Sequence, residues 1–292
     1  WTSVLLAPSG SGDEQAVRQA VVGWSDDEFV WDTRDLAEGE YDQKTITERY
    51  IEWANSGQTM RGRNTSALLY GIKTYKGYLG RRAKVFPDEK TMEQAQSNGA
   101  LMRCAPLALL PDRSSTKQGD PIKLDCHITN PSTITLDCNR VYLAFLRSIL
   151  VGRKPEFKCE TKEVEQVIAT AMDSTKPRDC ATRDCATNRG WCLHGLWCAV
   201  RCYYQFDSYQ DAMDWVINLP GKTDTDTNAA IAGAVMGAKI GYDKMLAEER
   251  TGPNMCMVFK ADIEKSDIPR PLKYHPRNIP FLMGKVLARQ SE

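Results

Sequence analysis

The stretch GKTDTDTNAAIAGAVMGAKIG, residues 221–241, decides the fold class, because an oxygen-rich turn leads directly into a segment of small residues. In the second half of this stretch glycine recurs every fourth residue, and alanine occupies many of the positions between the glycines. Small side chains along a helix allow neighbouring helices to approach its axis closely. The pattern therefore predicts a central, buried helix.

Helical periodicity extends over most of the chain. Apolar residues recur at spacings of three and four, whereas the alternating pattern of β-strands is nearly absent. Residues that favour helix starts precede two of these segments, namely Asp207 with Ser208, and Thr227. We therefore predict an all-α protein. The predicted helices span residues 45–55, 65–78, 141–151, 164–172, 193–204, 209–218 and 228–250.

Length and composition favour one globular unit. The chain has 292 residues, of which 42% are hydrophobic, so it can bury a sizeable core. No Gly/Ser-rich or Pro-rich linker divides it, and we predict a single domain over residues 1–292. Because the chain begins at Trp1 rather than at methionine, the sequence leaves open whether residues precede it.

Charge and cysteine usage exclude several classes of partner. The net charge is zero and the basic residues are scattered, so we expect no nucleic-acid partner. No apolar run is long enough to cross a bilayer, and we expect no membrane partner. The ten cysteines lack paired CxxC spacing, which is typical of reduced thiols in a cytoplasmic protein.

The strongest chemical signal is the group of oxygen donors at the start of the small-residue helix. Asp224, Asp226 and Thr227 offer only hard oxygen ligands, which Mg²⁺, Mn²⁺ and Ca²⁺ prefer over the softer ligands of zinc. The alternative is that these residues only cap the helix and interact with its dipole. The residues alone leave both interpretations open.

The same stretch resembles the second metal motif of the ADP-ribosylglycohydrolases, the family of the dinitrogenase reductase-activating glycohydrolase. The similarity covers the run DTDTNAAIAGA, residues 224–234. Lys222 and Thr223 stand where the family usually has two glycines. The resemblance implies a compact, orthogonal helical bundle in which Asp224, Asp226 and Thr227 are metal ligands.

A second segment, SNGALMRCAPLAL at 97–109, is similar to the family motif G-N-G-x-x-M-R-x-x-P that lines the ADP-ribose pocket. An Asn-Gly pair permits an unusual turn that brings backbone amides near a phosphate. The arginine of the motif could reach a phosphate or a buried carboxylate, and the sequence leaves both open. The ligand-binding residues that the resemblance implies here are Asn98, Gly99, Ala100, Met102 and Arg103.

Two further landmarks follow in the family's order. The segment 128–142 resembles the T-H-x-x-P motif, with Asn130 where histidine is common, and we expect Asn130 to bind the ligand. His127 lies three residues from the usual register, which puts its role in doubt. In the segment 189–221, Trp191 stands where an aromatic residue often flanks the ligand. Its indole either stacks on adenine or ribose, or belongs to the core.

The N-terminal part departs from the family. The best counterpart of the first metal motif, T-D-D-T, is GWSDDEF at 23–29, which supplies Ser25, Asp26 and Asp27. A rival placement at 9–15 would leave a glycine where an aspartate is needed. The structural alternative for residues 25–27 is a helix cap with an acidic first turn.

The resemblance implies a hydrolase that cleaves the glycosidic bond between ADP-ribose and a modified acceptor. Two Mg²⁺ or Mn²⁺ ions would be held by both motifs, and Asp26 or Asp27 would be the catalytic base. We expect ADP-ribose, or an ADP-ribosylated protein or small molecule, as the partner. Relatives that act on arginine linkages often carry an acid before G-N-T, whereas Arg61 and Arg63 fill that space here, which weakens an arginine-linked substrate.

A competing hypothesis is a family member with impaired catalysis that serves as an ADP-ribose-binding module or a structural protein. Its motivation is the divergent N-terminus together with Lys222, whose ammonium could occupy a metal position beside Asp224. A third hypothesis, an unrelated helical scaffold, leaves the segment 97–109 without an explanation. Metal dependence of ADP-ribose binding separates the first two.

Overall fold

Helices form the framework of the part of the chain that the structure describes. The structure is a computed structural model that describes residues 41–57, 61–109, 119–173, 175, 188–220 and 223–260, with side chains described up to residue 255. No β-strand occurs in these ranges. A 3₁₀ helix covers Ala105–Leu109. The α-helices are α1 Gln43–Ala54, α2 Arg63–Leu69, α3 Tyr75–Val85, α4 Glu89–Glu93, α5 Leu101–Cys104, α6 Pro121–Thr129, α7 Thr133–Leu150, α8 Lys162–Met172, α9 Cys192–Gln205, α10 Tyr209–Ile217, α11 Thr225–Ile240, α12 Tyr242–Ala247 and α13 Thr251–Lys260.

Local capping explains several helix starts. The side chain of Asp42 accepts a hydrogen bond from the backbone amide of Thr45 and so begins α1. Ser208 does the same for α10 by accepting from the backbone amide of Asp211 at 3.2 Å. The predicted cap at Ser208 is therefore confirmed, and α8, α9 and α10 begin and end within two residues of their predicted bounds.

The predicted continuous helix over 65–78 is wrong, because the chain turns between α2 and α3. Gly71 has φ +73°, a conformation that favours glycine. Asn55 holds this turn from α1: its Nδ2 donates to the carbonyls of Leu69 and Ile72, and its Oδ1 accepts from the Gly71 amide at 2.8 Å. A contact from another helix thus stabilises the break.

The predicted helix over 228–250 is also interrupted. It begins earlier, so Thr227 lies inside α11 and Asp224, not Thr227, occupies the N-cap position. It ends at Gly241, where φ is +85° and the backbone amide donates to the carbonyl of Gly237. A second helix, α12, then continues in a new direction.

The main core forms around α9 and α11, which pack against each other and are buried along most of their length. α11 also contacts α5, α7 and α10, so the prediction of a central buried helix is confirmed. The hydroxyl of Tyr142 on α7 donates to the Ile231 carbonyl at 2.9 Å, which ties a third helix to this pair. A smaller cluster joins α1, α2, α3 and α6, and Ile46 packs against both clusters.

Thiol chemistry agrees with the prediction. The cysteines whose side chains are described are all free thiols, and most are buried. Burial raises the pKa values of the Cys126 and Cys202 thiols above the ordinary value for cysteine, which keeps both thiols protonated. Within the described ranges no helix is long and apolar enough to span a membrane.

Candidate active site

The predicted oxygen donors lie together at the start of α11. Asp224 occupies the N-cap position, yet its side chain does not cap the helix. Instead its Oδ2 accepts a hydrogen bond from Nδ2 of Asn98 at 2.7 Å. Asp226 lies in the first turn and Thr227 is buried beside it. The helix dipole favours negative charge at this end, which helps to hold two carboxylates in one place.

The two carboxylates interact directly. Partial burial raises the pKa of Asp224 above its ordinary value, and the hydrogen bond and negative charge of Asp226 raise it further. Hydrogen bonds from Asn98 and Thr227 act in the opposite direction. Two neighbouring carboxylates repel each other, and a proton or a cation between them relieves the repulsion. The arrangement therefore favours a positively charged ligand.

The donor chemistry fits one side of a site for a hard divalent cation. Asp224, Asp226 and Thr227 present carboxylate and hydroxyl oxygens only, as Mg²⁺ and Mn²⁺ prefer. In the part of the chain that the structure describes, no group of three or more His, Cys, Asp or Glu side chains could hold a metal alone. The predicted partners Ser25, Asp26 and Asp27, and the competing Lys222, lie outside the described residues.

The segment that carries Asn98 forms a short antiparallel pairing with residues 190–192. The Asn98 amide donates to the Gly190 carbonyl at 2.7 Å, Ser97 and Trp191 form an isolated β-bridge, and the Cys192 amide donates to the Gln96 carbonyl. The backbone N–H of Asn98 is thus occupied within the protein and does not point to a phosphate. Nor does the Asn-Gly pair adopt the unusual turn we expected, since no positive φ occurs there.

The side chain of Asn130 holds residues 95–97 through hydrogen bonds. It is fully buried, and its Nδ2 lies within hydrogen-bond distance of the Ala95 carbonyl, the Ser97 carbonyl and the Ser97 hydroxyl. Its Oδ1 accepts from the hydroxyl of Thr129 at 2.7 Å. These contacts make Asn130 a structural residue of the 95–98 segment in the present conformation.

Arg103 pairs with a buried carboxylate, which settles one alternative that the sequence left open. Its Nε donates to Asp125 Oδ2 at 3.1 Å, and its other nitrogens donate to Thr129 Oγ1 and to the carbonyls of Gly99 and Asp125. Burial alone would lower the pKa of Arg103, but the charge of Asp125 raises it above its usual value. Arg103 therefore stays charged while it anchors the segment that carries Asn98.

The remaining predicted ligand residues differ in exposure. The side chain of Ala100 is fully buried against Cys126 and Leu136, so residue 100 could meet a ligand only through its backbone. Met102 is 43% exposed. Trp191 is half-buried against the main core, and its indole N–H donates to Gln96 at 3.0 Å. Trp191 still lies directly beside Gly190, at the edge of the aspartate pair.

Two residues at the site were missed by sequence reasoning. Gly190 touches both key side chains, since a Cβ on it would lie 3.4 Å from Asp224 Oδ2 and 3.6 Å from Asn98 Oδ1. Asp125 is the buried partner of Arg103 and also accepts from the hydroxyls of Tyr41 and Tyr50. The sequence signal for Gly190 was a glycine directly before Trp191, whereas no local sequence pattern distinguishes Asp125 from other aspartates.

Comparison with known proteins identifies the family. The ADP-ribosylglycohydrolase family model matches residues 13–254, which is most of the chain and includes both proposed metal motifs. The chain belongs to the ADP-ribosylglycohydrolase family. The resemblance stated from the motifs is thus confirmed. Family membership implies a glycohydrolase that acts on ADP-ribose-derived substrates, whereas the linkage and the metal are matters for proposal.

A solved structure supports the same fold. It is described as an ADP-ribosylglycohydrolase-related protein complex, with 17% sequence identity and a TM-score of 0.56. The match covers 97% of this chain and 82% of the other. At this identity it shows the fold of the ADP-ribosylglycohydrolases, which is all-α, as predicted. No curated protein sequence gives a significant match.

Proposed function

We propose that the protein is a metal-dependent hydrolase that cleaves the glycosidic bond between ADP-ribose and a modified acceptor. The observation that carries the proposal is the placement of Asp224, Asp226 and Thr227 together at the start of α11, with Asp224 held by Asn98. Family membership supports ADP-ribose as the recognised group. The metal requirement is supported by the oxygen-only donor set and by the repulsion between the two carboxylates.

The proposed centre takes Mg²⁺ or Mn²⁺, with two ions. When bound, the ions would supply orientation of the ribose hydroxyls and of the attacking water. The residues described at the start of α11 would hold one side, and the residues of the N-terminal motif would hold the other. The proposed ligands are Ser25, Asp26, Asp27, Asp224, Asp226 and Thr227.

The carboxylates of the chain would stabilise positive charge and accept one proton. Cleavage of a glycosidic bond develops positive charge on the sugar ring, which nearby carboxylates stabilise. We assign Asp26 or Asp27 as the general base that accepts a proton from the attacking water. Water adds to C1 of the ribose, the acceptor atom leaves with the bonding electron pair, and the proton taken from the water passes to that atom. The products are ADP-ribose and the restored acceptor.

The nucleotide is proposed to lie near Trp191 and Met102. Trp191 is partly buried and follows Gly190 in the chain, and Met102 is exposed on α5. An aromatic face and a flexible thioether are suitable contacts for adenine or ribose. Arg103, in contrast, is proposed to act through its support of residues 97–99, because Asp125 already occupies its guanidinium.

The test is a hydrolysis assay on peptides that carry ADP-ribose on arginine or on serine, with chromatography of the released ADP-ribose. The full chain is assayed with Mg²⁺, with Mn²⁺ and with EDTA, next to the Asp224→Asn and Asp226→Asn variants. We expect release that needs the metal and both aspartates. Release that is unchanged in EDTA would contradict the metal-dependent mechanism.

Calorimetric titration of ADP-ribose separates the proposed enzyme from a metal-free binding module. Under the proposal, ADP-ribose binds more tightly with Mg²⁺ than with EDTA. Equal binding in both conditions, without hydrolysis of any peptide, would instead favour the binding module that Lys222 motivates.

A further inference from the structure

The backbone N–H, the backbone carbonyl and the side chain of Asn98 each make a hydrogen bond within the protein. Asn98 is only 5% exposed, its backbone N–H donates to Gly190, and its backbone carbonyl accepts from the Met102 amide at 2.9 Å. Its Nδ2 donates to Asp224 Oδ2 at 2.7 Å, across 126 residues of sequence. Such a short bond to a carboxylate is charge-assisted, and it fixes both the position and the rotation of the acceptor.

Gly190 packs directly against this contact. A Cβ at residue 190 would lie 3.4 Å from Asp224 Oδ2 and 3.6 Å from Asn98 Oδ1, which are ordinary van der Waals distances. The φ of Gly190 is not in the positive region, so its backbone conformation does not require glycine. Alanine therefore fits at residue 190 and leaves both side chains in place.

We propose that Asn98 is a positioning residue for Asp224, seated against Gly190, and that it acts on the metal centre through this aspartate and not by contact with ADP-ribose. The inference rests on the proposed function, because it treats Asp224 as a metal ligand. With Oδ2 held by Asn98, the carboxylate of Asp224 would keep its orientation and could offer its remaining lone pairs to a divalent cation. Loss of such an outer partner typically weakens metal binding about 10- to 100-fold.

The experiment measures Mn²⁺ affinity by calorimetry in the full chain and in two variants. Asn98→Leu keeps the size of the side chain and removes the donor. Gly190→Ala keeps the donor and adds a methyl group at ordinary contact distance from the carboxylate. The matched control is Asn55→Leu, which also removes an asparagine bonded to nearby backbone but whose contacts belong to α1 and the α2–α3 turn. The melting temperature of each protein in EDTA reports any general loss of stability.

We expect Asn98→Leu to weaken Mn²⁺ binding by about 10-fold or more, and both Gly190→Ala and Asn55→Leu to leave it unchanged. At saturating Mn²⁺ the ADP-ribose affinity of Asn98→Leu should return to the wild-type value, because the ligand does not contact residue 98. This recovery distinguishes a positioning residue from a ligand contact.

Three outcomes overturn the inference. If the wild type binds Mn²⁺ and Asn98→Leu binds it equally well, Asn98 does not position Asp224, although the proposed function stands. If saturating Mn²⁺ fails to restore ADP-ribose binding to Asn98→Leu, Asn98 contacts the ligand directly. If the wild type binds no divalent metal, the proposed function fails and the inference fails with it.

Discussion

Ile231 of α11 packs directly on the backbone of α9 at Gly195. A Cβ on residue 195 would lie 2.6 Å from Cδ1 of Ile231 and 3.5 Å from the Leu101 side chain. The two helices at the centre of the core therefore approach each other at a glycine. This close approach is the structural consequence of the small residues that the sequence places along these helices.

Replacement of Gly195 by alanine should destabilise the protein. The Cδ1 of Ile231 must shift within a filled core, which costs about 1–3 kcal/mol. The higher helix propensity of alanine offsets up to about 1 kcal/mol of this cost. The double variant Gly195→Ala with Ile231→Val removes the clashing Cδ1 and should recover part of the loss. Urea unfolding of the three proteins measures both effects. A double variant that is less stable than Gly195→Ala would contradict the contact.

The variant Asp224→Asn should keep or raise the stability of the protein while it lowers the activity. The pKa of Asp224 is raised in the folded protein, so deprotonation opposes folding and the cost is present at neutral pH, above the ordinary pKa. Asp224→Asn keeps an acceptor for Asn98 and removes this cost. We expect an equal or higher melting temperature in EDTA, with metal-dependent turnover at least about 100-fold lower.

The parallel variant Asp226→Asn is the control for this prediction. It removes the other carboxylate of the pair and should lose turnover to a similar extent. If either variant hydrolysed ADP-ribosylated peptides at the wild-type rate, the assignment of these aspartates as metal ligands would be wrong.

Asn130→Ala should destabilise the protein through its lost hydrogen bonds. The change leaves the Ala95 and Ser97 carbonyls buried without their present donor, at a cost of about 3 kcal/mol. Asn130→Asp should cost at least as much, because a carboxylate would face those carbonyl oxygens. Guanidinium unfolding at neutral pH measures both. A loss under about 1 kcal/mol for either variant would show that the segment finds other donors.

Arg103 and Asp125 should behave as a coupled pair. Their side chains are 17% and 4% exposed, so loss of one leaves a largely buried charge, at about 3–5 kcal/mol. The double variant Arg103→Met with Asp125→Leu should lose less than the sum of the single losses. Unfolding free energies of all four proteins complete the double-mutant cycle. Strict additivity would mean that the two charges do not depend on each other.

His127 should make stability depend on pH. Burial, together with the positive charges of Lys123, Arg82 and Arg140, lowers its pKa from 6.5 to about 4. The unfolded chain then binds more protons than the folded one between these values, so stability falls as pH falls through this window. His127→Gln should show a smaller fall, measured as melting temperature between pH 6.5 and 4. Equal slopes in both proteins would refute the assignment.

Local signals predicted much of the fold, and contacts between distant residues explain the errors. Ser208 caps α10 through its own neighbours, and the prediction was correct. The break between α2 and α3 was missed because Asn55 stabilises it from another helix. The interruption at Gly241 had a local signal, but the glycine was interpreted as part of a repeat that favours close packing.

In the candidate site, too, the sequence identified residues, whereas the structure was needed to show their contacts. The sequence, with its family motifs, identified both Asn98 and Asp224, but not the hydrogen bond that joins them. It left open whether Arg103 meets a phosphate or a carboxylate, and the fold brings Asp125 to it. The assignments of Ser25, Asp26 and Asp27 stay predictions, because these residues lie outside the described ranges.

The sequence by itself determined the all-α class, the central small-residue helix and the oxygen donors at its start, because periodicity, side-chain size and ligand chemistry are local properties. Only the tertiary structure decided which buried polar groups meet. A carboxylate taken from water needs a donor wherever the fold can supply one, and for Asp224 that donor comes from Asn98, 126 residues away.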